Sequence, residues 1–139
     1  MRWQAFVDGT AAPNPGPLGI GVVVVAADGT RQDISRALDE RGDNNDAEFA
    51  AVVAALDVVA TVDTGADVVV HSDSDVVVRL LNGTKTTTQP RLLQWLARAN
   101  DARAQLGVVE VVLVTRLRNG EADALARAAL GLVAKVPRH

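Results

Sequence analysis

The stretch Ile20-Gly21-Val22-Val23-Val24-Val25, followed closely by Asp28-Gly29, restricts the fold more than any other part of the chain. A short β-branched run reads as a strand. Asp-Gly is a strong signal for a tight hairpin, and residues 32–38 supply the returning strand. Residues 3–8, Trp-Gln-Ala-Phe-Val-Asp, form a strand ahead of it. Between them, residues 9–17 are so rich in Gly and Pro that they read as irregular turn structure. The chain therefore opens with an antiparallel three-stranded meander, and the rest must pack around it.

After residue 38 the pattern changes. Asp43-Asn44-Asn45 offers capping side chains, and residues 46–61 form an Ala-rich helix without Gly or Pro, apolar nearly all round. Residues 67–72 are a buried strand. Ser72-Asp73-Ser74 opens a helix to about Leu81, stopped by Asn82-Gly83. A polar loop over 83–90 leads to a helix over 91–106, then a strand over 108–114. Asn119 caps a last helix from Gly120 to about Ala134, and residues 137–139 read as a frayed tail. Strands separated by helices return parallel. The predicted fold class is α/β, with helices on both faces of one mixed five-stranded sheet: three antiparallel strands, then two parallel. One domain spans residues 1–139.

Composition limits what such a domain can do. Hydrophobic residues make up 48% of the chain, yet it has two Phe, two Trp and no Tyr, so the core is aliphatic. The absence of Cys removes disulfides and thiolate metal sites. No apolar run approaches the roughly 20 residues of a membrane span, and the N-terminus lacks a signal-peptide core. The expectation is a soluble, cytoplasmic monomer. A net charge of −3 argues against a broad basic surface for nucleic acid.

Four acids stand at positions where packing residues would be usual. Asp8 ends the first strand, Glu48 lies in the first turns of the central helix, and Asp73 falls where a strand gives way to a helix. Asp123 opens the last helix among Ala122, Ala124 and Leu125. Singly, each has a plain explanation as a cap, a helix-dipole partner or a turn former. Together, on strand ends and helix starts, they can meet at one edge of the sheet, where open α/β sheets bind ligands. Clustered carboxylates repel one another and raise each other's pKa. Their oxygens suit hard cations such as Mg²⁺ or Mn²⁺.

The motifs around these acids resemble those of type 1 ribonuclease H. Asp8-Gly9, with Pro13-Asn14-Pro15-Gly16-Pro17 and Gly19-Ile20-Gly21, is similar to the family's first motif. Asn44-Asn45-Asp46-Ala47-Glu48 resembles its helix motif, and Ser72-Asp73-Ser74 with Leu81-Asn82-Gly83 its third. Asn119-Gly120-Glu121-Ala122-Asp123-Ala124-Leu125-Ala126 resembles its fourth. The resemblance runs in order over about residues 2–130. It implies two-metal-ion hydrolysis of the RNA strand of RNA/DNA hybrids, with Mg²⁺ as cofactor and Mn²⁺ able to substitute. Asp8, Glu48, Asp73 and Asp123 would hold the metal and be catalytic. Asn14, Asn44 and Asn45 would contact the hybrid, for which capping and turn formation are the plainer readings. Double-stranded RNA, which shares A-form geometry, is a possible second substrate.

The departures from the family also carry information. Many members place a His before the last acid; here the matching distance holds Arg116, with Arg118 as its competitor, and a solvated loop charge is the plain reading of either. His71 reads as a packed strand residue. The family's basic protrusion is missing, and Asp75 stands where Gln is common, so weak substrate affinity is expected. The competing functions are a hybrid-binding module without turnover and another nuclease of the same fold, a resolvase or exonuclease.

Overall fold

The computed structural model describes residues 2–133. Its elements are β1 (Trp3–Ala11), β2 (Gly16–Val25), β3 (Arg31–Gly42), α1 (Asn44–Val62), β4 (Val68–Ser72), α2 (Asp75–Asn82), α3 (Pro90–Arg103), β5 (Val109–Leu113) and α4 (Gly120–Ala129). The sheet order is β3-β2-β1-β4-β5. β1, β2 and β3 pair antiparallel, while β4 and β5 join β1 in parallel. This is the predicted mixed sheet, with the strand added after each helical crossover lying parallel.

The reading of residues 9–17 as irregular is corrected. β1 continues through Gly9, Thr10 and Ala11, and β2 already begins at Gly16, so only residues 12–15 connect them. Burial explains the extension: Ala11 and Leu18 pack with Ala47 in a small apolar cluster, which rewards carrying the ladder past the glycines. Pro17 lacks an N–H but its carbonyl accepts from Ala12 N at 3.1 Å. β3 also outlasts the predicted 32–38. Its outer positions are polar and exposed, so backbone pairing with β2, not side-chain burial, sets its length. α3 stops at Arg103, short of the predicted 106. α4 ends at Ala129 rather than near Ala134, with Gly131 at φ +73° after it; the predicted tail lies outside the described residues.

Two glycines set how near the helices come. A Cβ on Gly9 would fall 2.2 Å from the backbone of Ala47, and one on Gly21 would fall 2.1 Å from the carbonyl of Ala122. Gly9 pairs with Ile20, the neighbour of Gly21, so the two point to opposite faces. α1 therefore rests on one face and α4 on the other. The main core lies under α1, built from Val7, Ile20, Val22, Phe49, Val52, Leu56, Val68 and Val70, all at most 1% exposed. α3 is tied to α1 by the buried Asp46 carboxylate. It accepts from Trp95 Nε1 at 2.8 Å, Arg91 at 2.7 Å and its own capping-box partner, Asp43 N, at 2.8 Å.

Candidate active site

A cleft of about 260 Å³ opens where β4 ends beside β1, at Asp8, which lies inside β1 rather than at the strand end expected of it. Asp8, Glu48, Asp73 and Asp123 all line it, together with Asn44, Asn45 and Arg116. The convergence expected of the four acids is therefore observed. Each of Asp8, Glu48 and Asp73 offers one carboxylate oxygen within 4.8 Å of the other two, while Asp123 stands on the cleft wall.

The main chain holds this arrangement. Gly9 N–H donates to Asp8 Oδ1 at 2.9 Å and to Glu48 Oε1 at 2.6 Å. That bond is possible because Gly9 has no Cβ between β1 and α1. Asp73 is not a helix cap: Ser74 takes that role, its Oγ accepting from Val77 N. Asp73 is thereby left to face the cleft. Asp123 sits one turn into α4, its N–H bonded to Asn119 O at 3.0 Å.

The electrostatics follow from this crowding. Burial pushes the Asp8 carboxyl up to about 7, and the charges of Asp73 and Asp123 add to the rise against the bonds from Glu48 and Gly9. Burial, and then the charge of Asp8, hold Glu48 well above its ordinary range. Asp73 is raised by burial as well, opposed by the Asn119 amide and the positive charge of Arg116. Three hard oxygen donors in reach of one point, each resisting ionisation, form a site that can bind a metal ion.

The other predicted residues separate clearly. Arg116 lines the cleft, whereas Arg118 lines a different cavity with Phe6, Arg31 and Glu121. Asn45 faces the cleft. Asn44 does not cap α1, since Asp43 does. Its Oδ1 accepts from Ala11 N at 2.9 Å, and its own N–H donates to Asn14 Oδ1 at 3.2 Å. The pair thus pins the 12–15 turn beside the cleft, and Asn14 itself is exposed and outside the lining. Asn119 was expected to cap α4 but makes no side-chain capping bond. His71 stacks on Phe6 with ring centroids 4.3 Å apart and bonds Gln4 at 2.7 Å. Burial, then Arg118, lower its pKa, so it is a packed strand residue, as expected.

Sequence reasoning missed Thr10, Ser74 and Arg127 as lining residues. Two of them had a readable signal. Thr10 lies two residues beyond Asp8 on a strand, hence on the same side, and Arg127 lies four beyond Asp123 on a helix.

Residues 6–129 match the family described as Reverse transcriptase-like. The chain is 35% identical over 130 residues to Ribonuclease HI of Halobacterium salinarum, covering 93% of this chain and 64% of that protein. It is also 35% identical over 137 residues to a bifunctional protein of Mycobacterium tuberculosis, covering 97% of this chain and 37% of that one. It therefore spans less than two thirds of either relative. The crystal structure of RNase H1 from Halobacterium salinarum superposes with a TM-score of 0.87 at 34% identity, over 94% of this chain and 98% of that one. LC11-RNase H1, solved in complex with RNA/DNA hybrid, superposes with a TM-score of 0.84 at 28% identity, over 92% and 96%.

Proposed function

Since the chain belongs to the reverse transcriptase-like family, in which its relatives are type 1 ribonucleases H, we propose that it is an endoribonuclease hydrolysing the RNA strand of RNA/DNA hybrids. The observation that carries this reading is the meeting of Asp8, Glu48 and Asp73 within 4.8 Å, with Asp123 on the wall of the same cleft. A module that only binds hybrids has no use for buried acids held at raised pKa.

Asp8, Glu48, Asp73 and Asp123 are assigned to hold divalent cations, Mg²⁺ with Mn²⁺ able to replace it, two when the hybrid is bound. Such ions would supply positive charge at the attacking and leaving oxygens of the phosphodiester. The chain's own residues do the rest. Gly9 N–H orients Asp8 and Glu48 together. Arg116 brings a cation to the cleft beside Asp73 and is assigned the auxiliary role at the scissile phosphate. Asn44 and Asn45 line the same cleft and are assigned to the hybrid, where an amide can contact a ribose 2′-hydroxyl. Asn14 is assigned to the same contact zone through its tie to Asn44. Action on double-stranded RNA, a monomeric state and a cytoplasmic location complete the proposal. Among the described residues no helix is long and apolar enough to cross a membrane.

The test is cleavage of a labelled RNA/DNA hybrid in Mg²⁺ and in Mn²⁺, beside single-stranded RNA, duplex RNA and duplex DNA, with Asp73→Asn in parallel. Internal cuts in the hybrid's RNA strand, lost in the variant, are expected. A folded protein that cuts nothing would be a binding module. Cleavage of branched or duplex DNA instead would assign the site to a resolvase or exonuclease.

A further inference from the structure

Asn119 is 1% exposed and stands directly ahead of α4. An Asn there ordinarily turns its side-chain oxygen onto the free N–H groups of the first turn. This one turns inward. Its Nδ2 donates to the carbonyl of Val7 at 2.7 Å and to Asp73 Oδ2 at 3.4 Å. The main-chain carbonyl of Val7 can only accept, so the NH₂ end must face it and the amide has one workable orientation. The opposite end, Oδ1, is buried with no hydrogen-bond partner among the described residues. A stranded buried acceptor is unfavourable, and the fold tolerates it to keep the donor in place. The main chain adds a third link, because Asn119 O accepts from Asp123 N. One residue thus touches the neighbour of Asp8 on β1, the carboxylate of Asp73 and the amide of Asp123.

We propose that Asn119 is a positioning residue for the acidic cluster. Its side-chain amide fixes the rotamer of Asp73 against β1, so that the acids present their oxygens in register before any cation arrives. It is not a catalytic residue: it does not line the acidic cleft but borders a separate cavity of about 130 Å³ beside Phe6 and Arg118. Its influence passes through Asp73. Without the donor, the partly buried Asp73 side chain can rotate, and its alignment must be restored at the expense of ion binding. The hybrid-contact residues Asn14, Asn44 and Asn45 are untouched, so grip on the substrate is unaffected. This inference rests on the metal-site reading above but not on which nucleic acid is cut.

The experiment compares wild type with Asn119→Ala at a temperature where both are folded. Three-bond couplings from NMR give the Asp73 χ1 distribution in the metal-free proteins. Calorimetry gives the affinity for Mn²⁺ in the absence of nucleic acid, and steady-state kinetics give kcat and KM on the hybrid. The expected result is rotamer averaging at Asp73, Mn²⁺ binding weakened about tenfold, and kcat down at least about tenfold with KM within about twofold. If Asn119→Ala does not fold, Asn119→Ser, whose hydroxyl retains a donor for Val7, is measured in its place. An Asp73 that keeps a single rotamer, or an unchanged Mn²⁺ affinity, overturns the proposal and leaves Asn119 a structural residue only. Wild type that binds Mn²⁺ yet cuts no hybrid would overturn the ribonuclease reading instead, with the NMR and calorimetric comparison still deciding Asn119.

Discussion

Asp8 and Glu48 share a single donor, the amide of Gly9, and both are buried beside like charges. This gives metal-free stability a definite pH dependence. Asp8 has an ordinary pKa of 3.8 and sits at about 7 in the fold. The folded state therefore holds a proton that the unfolded chain has already lost across that interval. The contribution of Asp8 to stability falls as pH rises from about 4 to 7, and the raised carboxyl of Glu48 adds to the fall in the same direction. Asp8→Asn removes the penalty, and at pH 8 without divalent ions its Tm should exceed wild type by roughly 5 °C or more, the gap closing near pH 4. Calorimetric scans across pH check this, and a variant less stable than wild type at pH 8 would contradict the burial argument. The two arginines before α4 give a second prediction. Arg116→Ala should lower kcat by about tenfold or more, and Arg118→Ala should leave it within about twofold, because only the first faces the acids. The four acids were legible only as a set: each alone reads as a cap or a turn former, but strand ends and helix starts can bring all four to one edge of the sheet. Asn119 was not, because an Asn before a helix looks like a cap, and only three-dimensional placement shows that it has turned away.

α4 packs so near β2 that a Cβ on Gly21 would fall 2.1 Å from the carbonyl of Ala122. Gly21→Ala would drive a methyl group into the carbonyl of Ala122. The expected cost is about 2–3 kcal/mol, with a loss of hybrid cleavage in the remaining folded protein, since Asp123 rides on the same turn. Gly29→Ala is the control. Gly29 sits at φ +91° with nothing within 4 Å, so the substitution should cost only about 1 kcal/mol of backbone strain and spare activity. Urea unfolding and rates measured on both variants distinguish crowding from strain. The apolar β2 and the Ala-rich α1 were readable from composition and periodicity. The ends of β1 and β2 were not, because Gly and Pro signal a turn locally while the reward for extending the ladder, burial of Ala11 and Leu18 under Ala47, depends on a helix 36 residues away from Ala11. β3 was read as a strand over 32–38, but its full span over 31–42 was not, because a polar edge strand carries no burial pattern to mark its ends.

The weak basic footprint expected from the sequence is weaker still in the folded protein. Arg91 is committed to Asp46, Arg98 to Glu40, and Arg103 to the carbonyl of Leu81. Asp75, out of place for a phosphate contact, is paired with Arg79. Lys135 and Arg138 lie outside the described residues. Hybrid binding should therefore show a shallow dependence of log K on log salt, with a slope on the order of −2 to −3. A fluorescence titration over a range of salt concentrations checks it, and a slope near −6 or steeper would mean that these pairs open to engage phosphate. The mixed sheet, three antiparallel strands and then two parallel ones, was legible, since hairpin and crossover rules leave few topologies. The charge pairing was not, because it joins residues far apart in the chain.

β3 has one further consequence, for how the molecule behaves in a crowd. It forms one border of the sheet, twelve residues long, and among the described residues no strand pairs with its outer side. Such a border invites a second copy to dock strand against strand. Its exposed side chains include Arg31, Asp33, Arg36, Asp39, Glu40 and Arg41, so a copy sliding alongside would strand charges of both signs against a dry seam in nearly every register. The same polar sequence that blurs the ends of β3 thus guards this flank against filament growth.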